Sequence, residues 1–119
     1  MQKKKRILIA DLDHDLITRL AFSFEDKGYE TTSAWSGHEA LEQLHCRQFD
    51  VVLLSAYLPD VGHAEVWGAI RRLPSKPAVA LLESAQSDPE MVKKYLDLGG
   101  HCIVSERSAY LIAESVHKC

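Results

Sequence analysis

Nothing in this chain approaches the ~20 consecutive apolar residues that a membrane-spanning helix needs. The first apolar stretch, Ile7 to Ala10, ends at once in Asp11 and is too short for a signal-peptide core, so the expected location is the cytoplasm. Cysteine is scarce. Cys46, Cys102 and Cys119 are odd in number, far apart and without a C-x-x-C pair, which fits reduced thiols rather than a disulfide framework or a zinc site. No charge dominates: the net charge of -3 excludes the strong basic excess of a dedicated nucleic-acid binder. The one basic run, Lys3 to Arg6, reads as a solvated lead-in to a buried strand. There is no Pro/Gly/Ser linker and no internal repeat, so residues 1–119 are expected to form one domain.

What is present is alternation. Arg6 to Ala10 is a continuous apolar run, the mark of a strand covered on both faces. Asp13 to Lys27 then places Leu16, Ile17, Leu20, Ala21 and Phe24 on one helical face, and Gly28 stops it. Glu30 to Ala34 is a more polar strand that suits a sheet edge. Ser36 and Glu39 form a capping-box pattern for a helix whose inward face is Ala40, Leu41 and Leu44. Asp50 to Ser55 is the strongest central strand. Leu58-Pro59-Asp60 turns the chain, and Val66, Ile70 and Leu73 line the next helical face. Ala78 to Leu82 is a fourth strand, and Ser87 with Glu90 caps a fourth helix that stops at Gly99-Gly100. A short strand at Cys102 to Val104 and a last helix from about Ser108 to Lys118 complete the pattern. Five strands alternating with helices over short loops specify a parallel sheet with helices on both faces. Functional groups then belong at the carboxyl ends of the strands.

In that order and spacing the chain resembles the response-regulator receiver family of two-component phosphorelay signalling over nearly its whole length. I-L-I-A-D-L-D-H-D matches the opening strand with its acidic pair, and F-D-V-V-L-L-S-A-Y-L-P the strand that carries the phosphoacceptor. A-L-L-E-S-A-Q-S-D-P-E matches the strand with the switch hydroxyl, and L-D-L-G-G-H-C-I-V-S-E the approach to the family lysine. The resemblance implies a flavodoxin-like, doubly wound five-stranded parallel sheet in the order 2-1-3-4-5.

It also implies a chemistry that these residues do not supply. The family uses a nucleophilic aspartate, two more carboxylates holding Mg²⁺, a lysine and a switch hydroxyl. Here the phosphoacceptor position is Ser55, and the acidic pair is Asp11 followed by Leu12, with Asp13 one place later. The lysine position is Glu106, followed by Arg107, and the switch hydroxyl is Ser84. Gly62 and His63 stand where Asp-Gly is common. An unactivated serine is a poor nucleophile, and a phosphoserine would not turn over as an acyl phosphate does. Mg²⁺ binding is expected to be weak or absent, and no other cofactor is implied. The expectation is a non-catalytic pseudo-receiver acting through a protein partner or a homodimer. The face is the fourth helix, fifth strand and fifth helix, with Lys93, Lys94, Asp97, Arg107 and Glu114. An output domain can follow in a longer protein.

Other readings compete. Asp11, Asp13 and Asp15 have calcium-loop spacing, but the sixth position is Leu16 and the twelfth Phe22, so that reading fails. The same acids suit capping of the first helix. His14, His63 and His101 show no helical ligand spacing. I-A-D-L-D also resembles a haloacid-dehalogenase phosphatase opening, with Asp11 as nucleophile, Asp13 as acid, Ser55 as the second motif and Lys93 or Lys94 as the third. No later acidic pair or flap supports it. A sensor of another small ligand in the reshaped pocket is a further alternative. Trp35 and Trp67 are expected to pack with part of each ring exposed.

Overall fold

The structure, a computed structural model, describes residues 4–55, 58, 60–61, 63–83, 90, 93, 102–104 and 108–118. Five strands form one parallel sheet in the order β2-β1-β3-β4-β5. They are β1 (Arg6–Ala10), β2 (Glu30–Ala34), β3 (Val51–Ser55), β4 (Ala78–Leu82) and β5 (Cys102–Val104). Helices α1 (His14–Asp26), α2 (Gly37–Cys46) and α3 (His63–Arg71) connect the earlier strands, and a C-terminal helix spans Ala109–Lys118. Glu90 and Lys93 are helical; the rest of the expected fourth helix lies outside the described residues. This is the doubly wound, flavodoxin-like arrangement.

Alternation along each strand sorts the core into two layers. Leu8, Val52, Leu54, Val79 and Leu81 face α2 and α3, where Ala40, Leu44, Val66, Trp67 and Ile70 cover them. Ile7, Ile9, Leu53, Ala80 and Leu82 face α1 and the C-terminal helix, against Ile17, Leu20, Phe24, Ile112, Ala113 and Val116. The central strands are apolar throughout because both faces are covered. Polar β2 is an edge strand.

Trp67 corrects the sequence reading: it is buried, only 8% exposed, inside the α2–α3 layer. It lies one residue after Val66 and three before Ile70, within the apolar stripe of α3.

Local chemistry sets the helix ends. Asp13 is the N-cap of α1, its carboxylate accepting from Leu16 N–H at 3.1 Å. Gly28 leaves α1 at φ +91°, where a side chain would be strained. Ser36 caps α2 through Glu39 N–H, and the Glu39 carboxylate accepts from Trp35 N–H. Lys27 and Tyr29, just beyond α1, are tied to the C-terminal helix. Lys27 pairs with the half-buried Glu114, and the Tyr29 hydroxyl lies 3.0 Å from His117 Nδ1.

Candidate functional site

Parallel strands end together, so one rim collects the groups that follow β1, β2, β3 and β4. Ala10 pairs with Leu54 and Ser55 with Leu82, which sets Asp11 beside Ser55. Asp11 N–H continues the ladder to Ala34 O at 3.1 Å, and Glu83 N–H does the same to Val104 O at 2.9 Å. Counting by twos, Ser55 follows Leu53 on the side of the sheet covered by α1 and the C-terminal helix. Ser55 is 3% exposed and is the buried polar residue among the described ones.

The two acids of the first loop are engaged with the backbone. Asp11 Oδ1 accepts from Asp13 N–H at 3.1 Å, while Asp13 is spent on the α1 cap. Burial pushes the Asp11 carboxyl above the ordinary aspartate range, opposed by hydrogen bonds from the backbone of Asp13 and Leu12, with the Asp13 charge adding to the rise. Leu12 projects outward at 37% exposure. Among the described residues, no three His, Cys, Asp or Glu side chains converge as a metal would require.

At the same end of the sheet lies an aromatic pair that the sequence reading missed. His14, the first residue of α1, stacks on Trp35 with centroids 4.7 Å apart and planes at 26°, and Trp35 remains 48% exposed. Asp60 is a second missed feature. Its carboxylate accepts from Gly37 and His38 N–H, both at 3.0 Å, at the start of α2. Those bonds, His38 first, hold it below the usual carboxylate range. A Pro-Asp turn followed by a hydrophobic residue was the available signal, but it names no partner.

Of the other expected positions, Ser84, Lys94, Asp97, Glu106 and Arg107 lie outside the described residues, as do Gly62 and His101. Lys93 is exposed on a helical turn. Glu114, placed by sequence on the partner face, is turned toward α1 by Lys27, with Lys118 a turn away at 3.9 Å.

The sequence profile of the response regulator receiver domain matches residues 7–109. The chain belongs to that family. Receiver domains are signalling modules of two-component systems, and this one is 30% identical over 104 residues to the uncharacterized transcriptional regulatory protein YkoG of Bacillus subtilis, covering 87% of this chain and 45% of that protein. The chain spans less than half the length of the curated relatives it matches. A CheY-like receiver domain from Methanospirillum hungatei superposes with a TM-score of 0.85 at 22% identity, covering 98% of this chain and 93% of that one. The response regulator TrrA of Thermotoga maritima, solved in complex with Mg²⁺ and beryllofluoride, gives 0.78 at 25% identity over 96% and 97%. No helix among the described residues is long and apolar enough to cross a membrane.

Proposed function

We propose that this receiver works without aspartyl-phosphate chemistry, as a docking module. The observation that carries the reading is Ser55: a buried serine ends the central strand beside Asp11, and it is the residue that the receiver resemblance aligns with the phosphoacceptor. The remaining donors do not fit Mg²⁺, a hard ion that favours ionised oxygen ligands. Asp11 is pushed toward its neutral form, Asp13 caps a helix, and Leu12 has no donor. Glu106 at the lysine position adds a negative charge where an incoming phosphoryl group would need a positive one. The same commitment of Asp13 weakens the phosphatase alternative, which needs it as a free acid.

With no phosphate to bias it, the fold holds one conformation or one selected by its partner. Docking uses the face of the fourth helix, fifth strand and fifth helix, through Lys93, Lys94, Asp97 and Arg107. The relatives named as transcriptional regulators make an output domain in a longer protein the natural recipient.

Thermal melting with millimolar Mg²⁺ and beryllofluoride tests this directly, since that pair occupies TrrA. The expected result is no shift in Tm. A rise of several degrees that disappears in the Asp11→Ala, Asp13→Ala variant would show a working metal–anion site and overturn the reading. A rise with some other small anion would instead favour a ligand sensor.

A further inference from the structure

The end of the sheet opposite the rim carries two adjoining depressions, with cavity volumes of about 230 and 260 Å³. They share Gln48, Phe49 and Ser75 and so form one groove across the amino ends of β1, β3 and β4. Its floor is apolar: Phe49 and Leu73 are half-buried against the core, with Pro74 and Pro77 beside them. Its rim is cationic, formed by Lys4, Lys5 and Arg6 at one end and by Arg47 at the other. The single acid in the lining, Asp50, is already turned to the Arg6 N–H at 2.8 Å.

The cations are largely uncommitted. Arg6 pairs with Glu30 at 3.4 Å, but Lys4, Lys5 and Arg47 are exposed and have no acidic partner among the described residues. Arg47 follows the last turn of α2, where a cation complements the helix dipole. Lys4 and Lys5 belong to no helix, so the dipole does not account for them. In a chain of net charge -3, this gathering of positive charge is local.

We infer that this groove binds an acidic peptide segment that carries an apolar anchor. The carboxylates answer the lysines and Arg47, and the anchor covers Phe49, Leu73 and the two prolines. The two depressions run on from each other past Gln48, Phe49 and Ser75, an elongated shape that suits an extended chain. A nucleic-acid backbone would match the charge but leave the apolar floor wet. The strands place this groove about 16 Å from the Asp11–Ser55 rim, so the proposal stands apart from the fate of that site.

The test is titration of the full chain with a capped, Glu-rich peptide of about ten residues with a central Leu-Phe pair, followed by backbone amide shifts. Expected are a Kd on the order of 10⁻⁵ M, weakening with salt, and shifts confined to residues 4–6, 45–50 and 73–76. The Lys4→Glu, Lys5→Glu, Arg47→Gln variant should stay folded with its Tm lowered by a few degrees at most, since all three are exposed and only Arg47 touches the α2 dipole, and lose at least tenfold in affinity. Equal binding by that variant, or shifts at residues 11–15 instead, would overturn the proposal. So would an oligothymidylate that binds as tightly, which would make the groove a nucleic-acid site. Protection of the same amides by rising protein concentration alone would make the occupant a second copy of the chain, and would overturn it too.

Discussion

Asp60, in the loop leaving β3, and Gly37, the first residue of α2, are hydrogen-bonded at 3.0 Å across 23 positions of sequence. The contact pins the loop beyond Ser55 to the α2 N-terminus, so the rim is braced from the side. It depends on glycine. A Cβ at position 37 would lie 2.3 Å from Val61 Cγ2 and 3.2 Å from Asp60 Oδ1.

Gly37→Ala should therefore destabilise the fold although it improves helix propensity. Overpacking of this kind costs about 1–3 kcal/mol, which lowers Tm by roughly 4 °C or more in a domain of this size. Gly68→Ala in α3 is the internal control, because the nearest atom to its Cβ would be Arg72 Nη1 at 3.9 Å. It should gain about 0.5–1 kcal/mol from helix propensity. Thermal melts of both variants decide the matter, and equal behaviour would contradict the bracing contact.

Asp60 should also make the brace pH-dependent. Its folded pKa is lowered, chiefly by the His38 N–H bond and then by that of Gly37. A depressed carboxyl contributes stability above its unfolded pKa, about 3.9, and loses it as pH falls through the folded value. Asp60→Asn retains an acceptor but not the charge. Its Tm should fall modestly below wild type at pH 7, and the gap should close as pH falls below the ordinary aspartate range and through the lowered folded pKa. The carboxylate is exposed, so the gap is small.

Asp11 has the opposite sign. Its folded pKa is raised by burial, so ionisation is a cost that begins above about pH 3.9 and is complete above the folded pKa. Asp11→Asn keeps the oxygen that accepts from Asp13 N–H and removes the charge. Melting temperature at pH 8 should rise by about 2–5 °C, and the gain should vanish near pH 3. An unchanged Tm at pH 8 would mean that the carboxylate is better solvated than its position beside Ser55 implies.

The layered sheet was legible in the sequence because it is written locally. Ile7, Ile9, Leu53, Ala80 and Leu82 alternate with residues of the other layer, and Ser36 with Glu39 announces a helix start before any packing is known. The receiver motifs likewise put Asp11 and Ser55 at strand ends. What periodicity does not carry is which distant side chains meet. The His14–Trp35 stack joins residues 21 apart, and Lys27–Glu114 joins residues 87 apart. Glu114 shows the consequence: the receiver resemblance assigned it to a partner face, and nothing local in the sequence announced its ion pair with Lys27. Trp67 was different, since the Val66–Ile70 stripe already contained the information.

Ser55 offers the most direct trial of the dismantled pocket. Ser55→Asp places a carboxylate at a position 3% exposed, beside an Asp11 that already resists ionisation. Burying a poorly compensated charge raises its pKa, so the penalty should be large at pH 8 and smaller at pH 5, with a loss of about 1–3 kcal/mol at the higher pH. Mg²⁺ should not rescue this variant, because Asp13 remains committed to the α1 cap and Leu12 still carries no donor. Adding Leu12→Asp supplies the second member of the acidic pair. In that double variant, millimolar Mg²⁺ should recover most of the lost Tm at pH 8, since a bound dication removes the repulsion among three carboxylates. Rescue of the single variant by Mg²⁺ would mean that Asp11 and Asp13 suffice to hold the ion once position 55 carries a carboxylate. The pocket would then be one substitution away from function rather than structurally withdrawn from it.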